Sequence, residues 1–251
     1  MPTFTHGKNT GVLLNATDLS TYFNSADISQ TVDTAETTAF TQGSKSYITG
    51  LHDATLSVSG MFSQDAGGED AILSAALGAA TTPLVTVIFG VGAIGKRCVT
   101  GRAHEVNYSI SSPVADVTSV TADFNASTDA VTNQTYSLRG GVMLTAGASI
   151  AFGSLGNLTS VDNTTSSTNG GMAVLHVTAN SISGGNTTIK VQHSADNSTW
   201  VDLITFTAVS ATTTTQQLST VTGTINRYVR ATASTAGSSG SITYNIALAR
   251  Y

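Results

Sequence analysis

Apolar and polar positions alternate most cleanly between Tyr47 and Phe62. Leu56, Val58 and Phe62 fall on one side of this stretch, and Thr55, Ser57 and Ser59 on the other. A period of two marks a half-buried strand with one wet face. A turn at Thr49-Gly50 is expected to lead into it. Before it, Thr31 to Ser46 is polar and without apolar rhythm, which predicts a long loop over 33–46. After it, Ala71 to Gly78 reads as one short helix, over about 68–77. Asp65 or Asp70 can cap its start and favour the positive end of its dipole. Ile72, Leu73, Ala76 and Leu77 make its apolar stripe, and Gly78 stops it.

The same reading extends along the chain. Residues 1–10 are a polar arm, followed by a short strand at Gly11–Asn15 and a second over Leu19–Phe23 and Ala26–Val32. Leu84–Phe89 is a nearly continuous apolar, β-branched run, the signature of a strand buried on both faces. Cys98–Ile110 and Asp116–Phe124 alternate around the turn Ser111-Ser112-Pro113, which predicts a hairpin. Val106, Tyr108 and Ile110 share a face of the first strand; Val120, Ala122 and Phe124 share one of the second. Tyr136-Ser137-Leu138 closes this first region, and Arg139-Gly140-Gly141 breaks it. Beyond Leu144, strands are expected at Ala173–Ala179, Thr188–His193, Trp200–Thr207, Tyr228–Ala233 and Ile242–Leu248, with Trp200 as a core aromatic. The expected fold is mainly β: a domain at 1–144 with one helix and one long loop, and an all-β sandwich at 145–251.

Composition changes this picture in one way. Charged residues are only 10% of the chain, against about 25% in ordinary domains. So uncharged a surface suits burial in an assembly. The net charge of −5 is uneven, with −6 up to Leu144 and +1 beyond it. No cluster of Lys and Arg is present to bind nucleic acid by displacing counterions. The single cysteine, Cys98, excludes an internal disulfide and reads as a buried structural thiol. No secretory signal is expected at Met1–His6, and no apolar run is long enough to span a membrane as a helix.

Several motifs hint at chemistry, and each has a plainer reading. Gly90–Gly95 matches the dinucleotide pattern G-x-G-x-x-G and, with Lys96, nearly the phosphate-loop pattern. Both need a helix whose N-terminal amides face the phosphates. Here a strand is expected to follow, and Arg97 takes the place of the magnesium-binding Ser or Thr, so a glycine hairpin is the reading. His6, His52, His104, His176 and His193 show no metal-ligand or triad spacing. Asp65, Glu69 and Asp70 lack calcium-loop spacing and read as helix capping. The sequons at Asn157 and Asn197 follow from composition. No catalytic, cofactor-binding or metal-binding residue is expected, and the chain is not expected to be an enzyme.

The polar stretch, the phrase GLHDATLSVSG at residues 50–60 and the lone helix together resemble the major tail tube protein of long-tailed bacteriophages. The resemblance covers roughly Asn9 to Leu144. It implies two packed antiparallel sheets flanked by one helix, with copies forming hexameric rings whose strands join an inner barrel. Stacked rings would conduct DNA without binding it. Implied partners are further copies, the tape measure protein, the tail terminator and distal tail or baseplate proteins. The implied place is the virion tail, after synthesis in the host cytoplasm. Val191–Leu203 and Arg227–Ala231 resemble the β-sandwich modules appended to phage virion proteins, and also jelly-roll carbohydrate-binding domains. The alternative function is therefore a glycan-binding or adhesin-type sandwich; a weak glycan contact by 145–251 is compatible with either reading.

Overall fold

The computed structural model describes residues 4–129, 134–135 and 138–251. A short 3-10 turn at Gly7–Asn9 leads into β1 (Thr10–Leu14), β2 (Thr17–Asp18), β3 (Phe23–Glu36) and β4 (Tyr47–Met61). Helix α1 (Glu69–Ala76) comes next. It is followed by β5 (Leu84–Phe89), β6 (Arg97–Ser111), β7 (Ser119–Ala126), β8 (Thr128–Asp129) and β9 (Gln134–Thr135). The remaining strands are β10 (Arg139–Met143), β11 (Ser149–Ala151), β12 (Val161–Asp162), β13 (Gly171–Asn180), β14 (Thr187–Ser194), β15 (Val201–Thr205), β16 (Thr215–Val221), β17 (Tyr228–Thr235) and β18 (Ser241–Arg250). The fold is mainly β, with one α-helix among the described residues.

Contacts divide the chain into two compact units. The first gathers Met1–Thr21, Leu84–Gly101 and Arg139–Tyr251; the second gathers Tyr22–Pro83 and Arg102–Leu138. Neither is a contiguous half of the chain. A boundary at Leu144 therefore stands as a proposal about which segment folds alone, not as the line the contacts draw.

The first unit has two sheets. One has the order β16-β13-β18-β10-β6-β5-β1-β2, with β6 entering through Arg97–Thr100 and β11 adding to β18. The other has the order β12-β17-β14-β15. Leu175, Val191, Phe206, Val229, Tyr244 and Ile246 lie in the main core, whose buried members all come from Leu144 to Leu248. β5 is buried along nearly its whole length, as its apolar run predicts. Arg139-Gly140-Gly141 does not break the chain; it opens β10. A Cβ on Gly141 would lie 2.5 Å from the Leu248 carbonyl oxygen, so glycine here serves close strand approach. β16 has no apolar alternation (TQQLSTV), which is why the sequence does not announce it. Trp200 is half-buried and lies outside the core, whose aromatics are Phe206 and Tyr244.

The second unit is an antiparallel sheet, β3-β4-β7-β6, carrying α1. β4 buries Ala54, Leu56 and Val58 and leaves Thr55, Ser57 and Ser59 on the other face, following the predicted alternation. Thr49-Gly50 is not a turn, because both residues lie within β4 and Thr49 pairs with Thr34. The expected loop shortens likewise: β3 runs to Glu36, and only residues 37–46 connect the strands. Backbone pairing with β4 makes a strand of residues whose side chains carry no apolar signal. In β6 the register shifts between Glu105 and Asn107. That extra residue breaks the predicted shared face: Val106 and Ile110 are exposed, Tyr108 is half-buried and Glu105 is buried. In α1, Leu73 and Ala76 are buried, while Leu77 is exposed at the C-cap. Gly68 occupies the N-cap position with no side-chain cap, so neither Asp65 nor Asp70 caps the helix, while Asp70 lies in its first turn, where its charge favours the dipole. Tyr136 and Ser137, and residues 1–3 of the expected arm, lie outside the described residues.

Candidate functional site

The residues that suggested chemistry are dispersed. Gly90–Gly95 is a turn between β5 and β6, and β6 rather than a helix follows it. The Cys98 thiol is buried, and that burial pushes its pKa up to about 12, far from a reactive thiolate. His6 accepts from the Lys8 amide, His52 is exposed on β4, and His193 accepts from the Asn226 amide. His104 bonds the Thr82 hydroxyl at 3.1 Å. Asn157 bridges to Thr232, and Asn197 sits in a tight turn that the Asp196 carboxylate organises. Among the described residues, no three His, Cys, Asp or Glu stand together as a metal site.

His176 is the exception in its surroundings. It is fully buried on β13. Its Nδ1 donates to the Asn15 backbone carbonyl. Its Nε2 accepts from the Thr86 hydroxyl at 2.8 Å, and Thr100 bonds Thr86 at 2.6 Å. Burial pushes the imidazole down to about 4, so the ring is neutral and fixes the turn after β1 against β5 and β13.

In the second unit the wet face of the sheet is the most distinctive surface. Strand parity places Asp27 and Ser29 of β3, Asp53, Thr55, Ser57 and Ser59 of β4, and Asp123 and Asn125 of β7 on it. Asp123 accepts from Ser57 at 2.6 Å and from Asn107 at 2.8 Å. These two bonds hold its carboxyl below the ordinary range. A shallow hollow of about 400 Å³ runs over this face between Asp27 and Asn125.

The edge of this sheet is equally unusual. Among the described residues β3 pairs only with β4, so its outer row of backbone groups is open along a 14-residue strand. β7 pairs with β4 only from Thr55 to Met61. Beyond it the two strands continue as a bare ribbon on which Val32, Tyr47, Ile48 and Leu51 are exposed. A two-stranded ribbon is marginal by itself in water, and a long open edge is a template for pairing.

No protein-family model matches the chain, and no curated protein sequence does. Solved structures resemble it weakly. A chain of the tail of an empty GTA particle, refined helically with C6 symmetry, shares 17% identity over 49% of this chain and 95% of its own, with a TM-score of 0.40. A chain from the virion of a native gene transfer agent shares 14% over 54% and 98%, with a TM-score of 0.42. The SPP1 Dit protein, described as a hub of the adsorption apparatus of phages infecting Gram-positive hosts, shares 12% over 96% and 99%, with a TM-score of 0.37. With scores this low, the likeness says nothing by itself of what this chain does.

Proposed function

We propose that this chain is a structural protein of a phage-type tail, the major tail tube subunit, whose copies close into stacked rings around a conduit for DNA. The open β3 edge and bare β3–β4 ribbon carry this reading. Edge-to-edge closure of the sheet across copies would pair the open backbone groups, as closed barrels do. A contact of this head-to-tail kind closes into a ring when its rotation divides a full turn, six copies by the family resemblance. The ribbon's exposed apolar side chains would gain cover from a neighbouring ring. The acidic wet face, with Asp27, Asp53 and Asp123, suits a lumen that must pass DNA and not hold it. In this reading 145–251 is a module on the outside of the tube, and the further partners are the tape measure, terminator and distal tail proteins.

One observation favours the glycan-binding alternative. Trp200 is not spent on the core; the Arg230 guanidinium lies over its ring at 4.1 Å, and Arg227 lies over Tyr228 at 4.9 Å. Half-exposed aromatics beside hydrogen-bonding side chains suit a sugar.

Negative-stain electron microscopy with mass photometry on the purified protein tests both readings. The expected result is rings or tubes with a central hole, or a monomer that polymerises on concentration. Replacing residues 37–46 by a two-residue turn should then block stacking and leave the circular dichroism unchanged. A protein that stays monomeric when concentrated, and shifts only when glycans are added, would sink the tube reading and promote the alternative.

A further inference from the structure

Glu105 stands on β6 with 3% of its surface exposed, and neither carboxyl oxygen has a hydrogen-bond partner in the protein. Its cross-strand neighbour is Phe124, also buried. The same strand is tied to α1. Three residues along, the Tyr108 hydroxyl donates to Asp70 of α1 at 2.6 Å. The charges of Asp70, Glu69 and Glu105 all bear on that phenol. Glu69 of α1 is itself fully buried; one of its oxygens accepts from the Ser63 amide and the other has no partner. Among the described residues no cation hydrogen-bonds Glu105: Arg102, the only Lys or Arg of the second unit besides Lys45, turns its Nη1 to the Thr82 carbonyl, and His104 bonds Thr82.

A carboxylate buried without donors is too costly to keep ionised. We infer that Glu105 is a neutral carboxylic acid in the folded chain, and that its proton is a latch: losing it to solvent releases α1 from the sheet. The device goes beyond the assembly reading and does not depend on it. Desolvation is the dominant cause, and it lifts the carboxyl to about 8. The ordinary value of 4.5 returns once the carboxyl meets water. The folded state thus holds one more proton than the open state between about 4.5 and about 8. The contribution of the latch is complete below the lower value and is lost as pH rises through the upper one.

The chain has three glutamates, Glu36, Glu69 and Glu105, so selective carbon-13 labelling of glutamate carboxyls gives three resonances to titrate by NMR in the intact protein. One should titrate near pH 8 and vanish in Glu105→Gln. Hydrogen exchange of the α1 amides is the second reading. In the native protein their protection should fall by about tenfold per pH unit from pH 6 to 8 and level off above, because opening frees one proton per molecule. In Glu105→Gln it should be flat. If all three carboxyls titrate in the ordinary range, or the resonance near pH 8 persists in the variant, the neutral acid is overturned. If the resonance is right but α1 protection does not follow it, the latch is overturned. Should the variant fail to fold, the titration and the exchange slope of the native chain decide alone.

Discussion

The two compact units are made of the same material, extended strands with a Ser- and Thr-rich surface, yet they carry opposite charge. The first unit has four acidic and eight basic side chains, a net of +4; the second has eleven and two, a net of −9. A cut at Leu144 gives only +1 and −6, because it leaves Lys8, Lys96, Arg97 and Arg139 with the acidic residues. Folding returns those four cations to the first unit. Charge asymmetry in this protein is thus a property of spatial grouping, and sequence order blurs it. The units differ inside as well. The first buries a histidine in a complete hydrogen-bond network; the second buries carboxyl groups with oxygens left over. Protons therefore act on them in opposite senses.

The comparison can be broken most forcefully at the core of the first unit. Phe206→Ala opens a cavity in the sandwich and should cost ~3–5 kcal/mol by denaturant unfolding. His176→Ala comes next, at about 2–4 kcal/mol, since it leaves the Asn15 carbonyl and the Thr86 hydroxyl short of a partner. It should also erase an acid limb. The His176 value lies below its ordinary 6.5, at about 4, so the unfolded chain binds the extra proton. Stability is full above 6.5 and falls with pH down to about 4, by ~1.4 kcal/mol per unit. Unfolding midpoints at pH 4.5, 5.5 and 7 compare the native chain with the variant; an unchanged slope would remove the histidine from the account.

Glu105→Gln should act with the opposite sign. Its benefit should be nil near pH 4.5 and grow toward pH 8, by at most ~1.4 kcal/mol per unit, giving the variant the higher melting temperature at pH 7.5. The smallest effect belongs to the surface of the first unit. Lys190 and Asp202 form a partly exposed ion pair at 2.6 Å. Asp202→Asn should cost less than ~1 kcal/mol, and the difference should shrink in molar salt. A larger loss would mean that the chain through Lys190, Asp202, Gln192 and Arg230 acts as one network.

Much of this architecture is legible before folding. β4, β7 and β18 announce themselves by alternation, β5 by its apolar run and α1 by its stripe and Gly78, because each depends on neighbours along the chain. The wet face of β4 is legible for the same reason. The rest is not. β10 and β16 exist because other strands supply their hydrogen bonds. The end of β3, Asp33 to Glu36, reads as a loop, since no apolar period runs through it. Trp200 reads as core from its type alone, while its setting under Arg230 depends on a residue thirty positions away.

The sequence by itself determined which residues prefer extended backbone, which face of β4 is wet, that no disulfide forms within these residues and that they are acidic as a whole. Those are properties of single residues and of short-range period. Only the tertiary structure decided that residues 1–21 and 84–101 join 139–251, that β3 has no second neighbour among the described residues, and that His176 and Glu105 lie out of water. A period of two assigns a side chain to a face but does not say what covers it. One bulge in β6 was enough to move Glu105 from the surface that its charge predicts to an interior that holds its proton.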